Sequence, residues 1–507
     1  MSAILGIDLG TSYCAVATLD EAGRAVTIPN HDGEMLTPSI VYLGEGNAVV
    51  GQAALDAAQE FPDQVASLVK RRMGYADYGR QLHGRAFRPE TLAAVVLKKL
   101  ITDAAERVGP IERAVITVPA YFDDTRRKAT QDAGRIAGLE HVDIFDEPCA
   151  AALSYTFGAG RHHDREETIL VYDLGGGTFD VSIVRTSRRR FQTLAIEGDV
   201  RLGGHDWDSR IADFVGEEFI KYHGSDPRTD SKSRAQLFAA AERAKRTLSK
   251  LEHTTLTTSH DGHTLAIPLS RSAFENMTRD LLTRTRLTVQ QVLKHAGLGW
   301  NRIDRVLLVG GATHMPMTRQ MLRELSGRPP ESGLAVSEVV ARGAALHGGI
   351  LAARHNRAPD ATGGLNDVVE IHVNAHSLGV EVRHQNERIS DIVIPKNTQL
   401  PTGSTRVYRT VQEDQRKVRV RVLQGEARQA EACIPVGECW IDELPPGLAA
   451  HSPVEVTCGC REDGLIVVTA RDPESGKSVR AELHREGGLS DAEIAWEKAW
   501  LDKLTLL

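Results

Sequence analysis

Long hydrophobic runs are missing from this sequence. Its 507 residues contain no stretch of about 18 consecutive apolar residues, so no membrane-spanning helix is predicted. The first residues, Met1–Gly6, show neither a basic segment nor a cleavage site, which argues against a signal peptide. The formal net charge is -7, which disfavours wholesale nucleic-acid binding. We therefore expect neither a membrane nor a nucleic acid as a partner.

Cysteine is scarce as well. The six cysteines stand at positions 14, 149, 433, 439, 458 and 460, too scattered for a disulfide framework. The pair Cys458 and Cys460 has the wrong spacing for a zinc knuckle, so ordinary strand cysteines are the favoured interpretation over a metal site. This usage predicts a cytoplasmic protein.

What is present is typical of a folded protein with more than one domain. Apolar residues make up 41% and charged residues 25% of the chain, close to the averages for globular proteins. A chain of 507 residues exceeds what one hydrophobic core usually serves, so at least two domains are expected.

Three short apolar strands each end in a glycine-containing turn. They are predicted at Ile4–Leu9, Ile169–Leu174 and Val306–Val309. The first two also share an aspartate, Asp8 or Asp173, followed by Leu-Gly. This weak internal repeat suggests two similar halves that face each other.

Helical and strand patterns divide the chain into two parts. Amphipathic helices are predicted from Pro89 to Ala104 and from Ser231 to Ser249, and their alternation with strands favours an α/β architecture. After residues 361–364 the pattern changes to short alternating strands, which indicates a small all-β unit. Those strands are predicted at Leu378–Val382, Arg406–Val411, Val418–Val422 and Leu465–Ala470. The last stretch, from Leu489 to Leu507, is predicted to be helical, with Ser490 and Glu493 as a capping box.

The glycine turns have the chemistry of a phosphate site. Backbone amides of such a turn approach a phosphate closely because no Cβ intervenes. Carboxylates at the strand ends, Asp8 and Asp173, can hold a hydrated Mg²⁺ that bridges phosphates. The hydroxyls of Thr11, Ser12 and Thr178 can donate to phosphate oxygens. One such loop would read as a plain tight turn, but three in this order favour phosphate binding.

At this point the sequence resembles the Hsp70 chaperone family. The resemblance runs from residue 4 to about residue 495 and is carried by the segments Ile7–Thr11, Val118–Phe122, Asp132–Leu139, Glu147-Pro148, Val171–Asp180 and Leu308–Pro316. The short segment between Gly74 and Pro89 is similar to that of the HscC-type bacterial branch.

The resemblance implies a fold class and a domain order. It implies an α/β actin-like ATPase with two lobes and a duplicated, ribonuclease H-like core, followed by a small all-β sandwich and a short C-terminal helix. The expected bounds are 1–363 for the ATPase domain, 364–372 for the linker, 373–488 for the peptide-binding sandwich and 489–507 for a helical lid remnant. Family members carry a long helical lid that slows the escape of a bound peptide, whereas only residues 489–507 stand in its place here. Weak and fast-exchanging peptide binding is therefore expected.

The resemblance also assigns roles around the nucleotide. The catalytic residues implied are Lys70, Glu147, Asp173, Thr178 and Asp180. The residues implied to bind the nucleotide are Asp8, Gly10, Thr11, Ser12, Tyr13, Gly175, Gly176, Gly177, Thr178, Gly203, Gly204, Glu242, Lys245, Arg246, Ser249, Gly310, Gly311 and His314, with Asp8 and Asp173 holding a metal through waters. Without the family, Lys70 would read as part of a solvated basic cluster and the Glu242–Ser249 set as a solvated helix face. His314 stands where the family usually has an arginine, so an altered nucleotide affinity is expected.

Two further sets follow from the resemblance. Val380, Val382, Tyr408, Val418 and Val420 match the peptide groove, and Val411 matches a residue arching over it, while Arg383 replaces the apolar counterpart of that arch. The alternative for these valines is ordinary sandwich core. Residues implied to relay nucleotide state are Pro119, Arg127, Asp143 and His372.

The linker departs from the family pattern. Glu370 interrupts its apolar run, and His372 replaces an aspartate that normally docks beside a basic residue, where Asp143 stands here. An exchanged pair would place His372 against Asp143 and raise the histidine pKa. Drift in a chain that no longer couples its domains is the alternative.

Three functions are consistent with these features. The leading one is an ATP-driven chaperone that binds and releases extended hydrophobic peptides of unfolded proteins. A non-cycling Hsp70-like binding or scaffold protein and an actin-fold small-molecule kinase are the alternatives. The implied cofactors are ATP/ADP and Mg²⁺, with K⁺ as a further candidate ion, and the candidate partners beyond unfolded polypeptides are a J-domain co-chaperone and a nucleotide exchange factor.

Overall fold

Two sheets of similar construction form the larger part of the molecule. The computed structural model describes residues 3–157, 165–187, 190–331, 336–356, 368–385, 387–441, 444–461, 465–483 and 488–507. We call residues 3–356 the N-terminal region and residues 373–483 the β-rich region. Among the described residues, no helix is both long enough and apolar enough to cross a membrane.

The two sheets of the N-terminal region share a strand pattern. The first has the order His141–Asp146, Ile111–Val118, Ala3–Asp8, Tyr13–Leu19, Ala25–Ile28, with Thr37–Pro38 added to Tyr13–Leu19. The second has the order Arg305–Val309, Glu167–Leu174, Phe179–Ser187, Arg190–Asp199, Val369–Ile371. In each sheet one strand carries the aspartate, Ala3–Asp8 in the first and Glu167–Leu174 in the second. That strand pairs antiparallel with the next strand in sequence and parallel with a later strand on its other side. The predicted internal repeat is thus visible in the topology.

Helices cover both sheets. The central strands are buried on both faces, as Glu167–Leu174 illustrates, so each side of the sheet needs a helical layer. The helices are Gln52–Ala57, Pro89–Val108, Asp124–Ile136, Glu147–Phe157, Gly204–His223, Ser231–Leu248, Arg271–Met277, Arg279–His295, Pro316–Ser326 and Val339–Asn356. The predicted helices at Pro89 and Ser231 are confirmed.

Two small-residue helices pack closely between the sheets. A Cβ added to Gly343 would lie 1.8 Å from the Ala150 carbonyl oxygen, and one added to Gly6 would lie 2.2 Å from the Ala345 nitrogen. The helices Glu147–Phe157 and Val339–Asn356 therefore meet at distances that only glycine and alanine permit.

Smaller sheets lie beside these two, and one of them takes an edge strand from the C-terminal segment. They comprise the hairpins Gln81–Leu82 with Arg85–Ala86 and His253–His260 with His263–Ser270, and a sheet of order Thr505–Leu506, Asn47–Val50, Ile40–Leu43, Val65–Ser67.

The β-rich region is a pair of four-stranded antiparallel sheets. One has the order Glu387–Ile394, Leu378–His384, Val418–Gln424, Ile434–Ile441, and the other the order Thr402–Arg409, Pro453–Cys460, Ile466–Arg471, Ser478–Leu483. Burial alternates strictly along Pro453–Cys460, so one face of this strand enters the core shared by the two sheets. The four predicted strands are present, although the second spans Thr402–Arg409 and ends before Val411.

The C-terminal segment differs from the prediction. Its helix, Asp491–Leu501, begins with the expected Ser490–Glu493 capping box but does not run to residue 507. A turn follows, and Thr505–Leu506 pairs in parallel with Asn47–Val50. The change of sequence character at residues 361–364, and with it the predicted boundary at 363, lies outside the described residues.

Candidate functional site

The second and third glycine turns lie side by side at one sheet edge. In the sheet register Asp173 stands opposite Val309 on one side and Asp180 on the other. Gly310, which follows Val309, has a φ of 82°, and a Cβ there would lie 2.4 Å from the Leu174 carbonyl oxygen. Only glycine fits this contact.

The first turn comes from the other sheet and meets the second. A Cβ on Gly176 would lie 2.2 Å from Ser12 Oγ, and one on Gly177 would lie 2.5 Å from Thr11 Cγ2. The second turn is also held from behind, because the Gly204 amide donates to the Gly175 carbonyl at 2.9 Å. The structure thus brings the three predicted turns into one site between the two sheets.

The floor of this site is a group of buried charges. Lys70 forms a buried ion pair with Glu147. The carboxyl groups of Asp8, Asp173 and Asp180 belong to the same electrostatic group, and their residues are buried or nearly so. One lysine thus faces four carboxyl groups, so the site carries an excess of negative charge.

That excess shifts the proton affinities. Burial and the nearby Glu147 raise the pKa of Asp8 to about 7, against the lowering effect of Lys70 and a hydrogen bond from Thr117. Burial and Glu147 likewise hold the pKa values of Asp173 and Asp180 well above the usual range. Burial alone would lower the pKa of Lys70, but Glu147 and Asp8 outweigh it and raise that pKa.

The carboxyl groups fit a hydrated divalent cation. Buried carboxylates in excess of their counter-charge are stabilised by a bound cation, which lowers their pKa values. Among the described residues no group of three or more His, Cys, Asp or Glu side chains could ligate a metal directly. Mg²⁺ keeps several waters and needs one or two carboxylates, so Asp8 and Asp173 fit contact through waters.

The helix Ser231–Leu248 contributes side chains from across the cleft. Arg246 donates to the Tyr13 hydroxyl at 2.9 Å and to Glu242 at 2.7 Å, which links this helix to the first glycine turn. Lys245 is buried, and it donates to the Gly204 carbonyl at 2.9 Å and pairs with Asp208 at 2.7 Å. The remaining predicted contacts of this side are Ser249, whose hydroxyl bonds back to its own helix, and the exposed His314.

Sequence reasoning missed an arginine of the site. Arg71 Nε donates to the Gly177 carbonyl at 2.9 Å, and its guanidinium also pairs with Asp206. Asp206 in turn accepts from the Gly203 amide at 2.8 Å. The basic run at Lys70–Arg72 was the available signal, but only the lysine was singled out in it.

A short loop joins this site to the β-rich region. The Tyr121 amide donates to Asp180 Oδ1 at 3.0 Å, while the Tyr121 carbonyl lies 3.0 Å from His376 Nε2. Arg127 holds the loop through the carbonyls of Ala120 and Phe122 and pairs with Asp146 at 2.6 Å. The predicted relay residue Pro119 begins the turn, since its carbonyl accepts from the Phe122 amide.

The linker is docked as a strand. Val369–Ile371 pairs in parallel with the strand Arg190–Asp199. The carboxyl group of Glu370 is buried and lies 2.8 Å from His347 Nδ1 and 3.6 Å from Arg354. Glu370, which interrupts the apolar run of the linker, thus has His347 and Arg354 as partners.

The expectation for His372 is wrong in its electrostatic part. Its ring lies edge-on to Phe145, with ring centroids 5.7 Å apart. Burial lowers its pKa and outweighs the opposing effects of Glu370 and Asp146, whereas a pair with Asp143 was expected to raise it. The carboxylates that act most strongly on His372 are therefore Glu370 and Asp146.

The residues predicted for a peptide groove are buried to different degrees. Val380 and Val420 belong to the sandwich core, which agrees with their alternative interpretation. Val382, Tyr408 and Val418 are partly buried against that core. Val411 lies beyond the strand end and is 68% exposed.

Comparisons with a family model and with individual relatives give a consistent result. The family model described as Hsp70 protein matches residues 4–79 and 76–499. The chain is 39% identical over 499 residues to the chaperone protein DnaK of Halobacterium salinarum strain ATCC 29341 / DSM 671 / R1, and equally to that of strain ATCC 700922 / JCM 11081 / NRC-1. Each match covers 97% of this chain and 76% of the relative.

The glycine turns and buried carboxyl groups define a nucleotide-handling site joined to a β-rich unit. The chain belongs to the Hsp70 family. It is an Hsp70-like chaperone with ATPase activity, which binds ATP and ADP with Mg²⁺.

Proposed function

We propose that residues 1–363 form a two-lobed actin-like ATPase with a ribonuclease H-like duplicated core, joined by residues 364–372 to a peptide-binding sandwich at 373–488 and a C-terminal segment at 489–507. The matching strand patterns of the two large sheets support the duplication. The site between those sheets supports the placement of the nucleotide. The closer relationship to the HscC-type bacterial branch stays a prediction.

The proposed catalytic group consists of Lys70, Glu147, Asp173, Thr178 and Asp180. Lys70 supplies a fixed positive charge near the transferred phosphoryl group, and its ion pair with Glu147 keeps it in place. Bound Mg²⁺, held by Asp8 and Asp173 through waters, would supply charge neutralisation on the phosphates. The protein side chains orient the nucleotide and the attacking water, so hydrolysis proceeds by positioning and electrostatics without a covalent enzyme intermediate.

The nucleotide itself is proposed to lie across the cleft. The three glycine turns would hold its phosphates, and Tyr13, Glu242 and Arg246 would lie beside the adenosine, supported by the contact of Arg246 with Tyr13. K⁺ is a further candidate ion, since the buried carboxyl groups exceed the positive charge of Lys70.

The β-rich region is proposed to bind extended hydrophobic peptide segments of unfolded proteins. Val382, Tyr408 and Val418 are partly exposed beside the sandwich core and can contact such a segment. A J-domain co-chaperone and an exchange factor are proposed partners. All six cysteines are buried free thiols, which supports a cytoplasmic location.

One observation carries the coupling of hydrolysis to peptide binding. The Tyr121 amide donates to Asp180 in the site, and the Tyr121 carbonyl accepts from Nε2 of His376 in the β-rich region. A change at Asp180 can therefore reach the β-rich region through one residue.

The test is ATP-triggered peptide release. A labelled aliphatic peptide is bound in ADP, ATP is added, and release is followed together with the hydrolysis rate with and without peptide. Release by ATP and stimulation of hydrolysis by peptide are expected. Peptide binding that ignores ATP would indicate the scaffold alternative, and phosphate transfer to a sugar would indicate the kinase.

A further inference from the structure

Two neighbouring strands of the β-rich region separate part-way along their length. Leu378–His384 and Val418–Gln424 pair only over the register from Leu378↔Gln424 to Val380↔Val422. Beyond it each strand is held on its outer side, to Glu387–Ile394 and to Ile434–Ile441. The backbone edges that face each other across the gap thus stay apart.

A cleft of about 200 Å³ opens at this gap. Its lining consists of Glu381, Val382, Arg383, Arg388, Arg419 and Arg421. We call it the arginine cleft. It shares Val382 with the predicted peptide groove but has the opposite chemistry, because four of its six residues carry a positive charge.

The carboxylates at hand do not balance those arginines. Glu381, whose side chain is 10% exposed, lies 3.3 Å from Arg419, 3.8 Å from Arg388 and 3.1 Å from Arg421. Arg419 also lies 3.8 Å from Glu438. Within the part of the chain that the structure describes, Arg383 has no ion-pair partner. Four arginines therefore face two carboxylates, in a chain whose net charge is -7.

Two of the arginines oppose each other directly. Arg383 and Arg388 are register partners across their antiparallel strands, so their side chains share one face of the sheet. Like charges in this position destabilise a strand pair. An anion bound between them would remove that cost.

We propose that the arginine cleft binds an extended acidic polypeptide segment, rich in aspartate and glutamate. Guanidinium groups pair with carboxylates in a bidentate geometry that a lysine cluster would not provide. An extended segment can also use the free backbone edges of separated strands, as in strand addition. The exposed Trp440, with Arg419 5.9 Å from its ring centroid, extends the surface for apolar residues between the acidic ones.

The charges favour a polypeptide over a nucleic acid. The four arginines line one cleft of about 200 Å³ in a chain of net charge -7, whereas nucleic-acid binding usually relies on an extended basic surface. The proposal rests on the proposed peptide-binding function of this region, because the cleft shares Val382 and the arch position Arg383 with the predicted groove.

Binding of a short fluorescent peptide of alternating glutamate and serine tests the proposal, with a glutamine twin as the matched peptide. The full-length chain is expected to prefer the glutamate peptide, more strongly at low salt. Replacing both opposed arginines, Arg383→Gln with Arg388→Gln, should weaken that binding by about 10-fold, since charged hydrogen bonds are lost. The same variant should be at least as stable to heat as the wild type, because the repulsion is gone.

A charge-matched control separates the cleft from the general field of the protein. Arg471→Gln with Arg480→Gln removes two exposed arginines from the other sheet and should leave the binding unchanged. Equal binding of the two peptides, or equal losses in both double variants, would overturn the proposal. Tighter binding of a single-stranded oligonucleotide that displaces the peptide would also overturn it. Binding of a neutral aliphatic peptide, measured in parallel, reports on the predicted groove separately.

Discussion

Lys70 is buried beside Glu147 in a site with an excess of carboxyl groups. Lys70→Ala removes a charge that the proposed mechanism places beside the transferred phosphoryl group, so ATP hydrolysis should fall by about 10²–10³-fold while nucleotide still binds. Single-turnover hydrolysis measures the rate, and Lys294→Ala, an exposed lysine on another helix, is the control. A near-normal rate in Lys70→Ala would remove this residue from the catalytic group.

Asp8 should make Mg²⁺-nucleotide binding sensitive to pH. Its pKa is raised from 3.8 to about 7 by burial and Glu147. Below pH 7 a proton therefore competes with the cation, and Mg²⁺-dependent ADP affinity should decrease. In the nucleotide-free protein, between about pH 4 and pH 7, Asp8 is protonated in the folded state and ionised in the unfolded state. The contribution of Asp8 to the free energy of unfolding therefore falls as the pH rises through this range.

Asp8→Asn separates this effect from those of neighbouring groups. The variant should lose most of the pH dependence of Mg²⁺-dependent ADP binding, and its nucleotide-free form should gain stability relative to the wild type at pH 8. Calorimetric titration and thermal unfolding at several pH values measure both. An unchanged pH profile would show that another carboxyl group takes up the proton.

Single residues differ in how far the sequence could predict them. Asp8, Asp173 and Gly310 were predictable because each closes a local strand-and-turn pattern. Arg71 and His376 were not, because their partners Asp206 and Tyr121 are 135 and 255 positions away in the chain. Such contacts depend on how whole elements dock, which no local pattern records.

The linker strand Val369–Ile371 is held at its centre by a polar contact. Glu370→Ala would leave His347 and Arg354 facing a buried space without a carboxylate, at a cost of about 1–3 kcal/mol. The linker should then detach more often from Arg190–Asp199. Faster cleavage by a protease added at low concentration would report this, compared with Val369→Ala at the exposed neighbouring position. Equal cleavage of the two variants would contradict a role for the carboxyl group.

The C-terminal helix Asp491–Leu501 is bound to the N-terminal region. Trp500 packs against Phe87 at 5.2 Å between ring centroids, and Arg85 lies 4.5 Å from the Trp500 ring. Trp500→Ala should weaken this docking by about 2 kcal/mol. Hydrogen exchange of the helix amides should rise more in this variant than in Trp496→Ala, since Trp496 is 62% exposed and Arg85 lies farther from its ring, at 5.2 Å. Equal protection in both variants would show that Trp500 is not needed to hold the helix in place.

Elements were predictable where local periodicity decides them. Helix Ser231–Leu248 and strand Glu167–Leu174 lie close to their predicted positions, since one stripe or a continuous apolar run specifies each. The end of the C-terminal helix was not predictable in this way. Its turn and the strand Thr505–Leu506 are specified by pairing with Asn47–Val50, far away in the sequence.

At the scale of the whole molecule, the β-rich region docks on the N-terminal region through several polar contacts beside a small apolar cluster of Ala120, Ile196 and Val373. Lys396 pairs with the buried Glu197 at 2.5 Å, and Asn397 Oδ1 accepts from the Ile196 amide at 2.9 Å. On the other side, Gln424 accepts from the Asp124 amide at 3.0 Å. The two regions were predicted separately from their sequence patterns. The contacts named here were not predicted, because the only docking contact expected from the sequence was that between His372 and Asp143.

Glu197 and Lys396 offer a direct test of whether this docking couples the two regions. The carboxyl group of Glu197 also contacts His295 at 2.6 Å, so a residue of its own region holds it in position independently of Lys396. Lys396→Met should favour the undocked state, because it leaves that carboxyl group with one partner fewer. A double-mutant cycle with Glu197→Gln should give a coupling of about 1–3 kcal/mol in docking, measured by fluorescence transfer between the two regions. Basal hydrolysis should persist in Lys396→Met while its stimulation by peptide is lost, and Lys396→Arg should retain both. Additive single effects in the cycle, or full peptide stimulation in Lys396→Met, would show that the regions communicate without this pair.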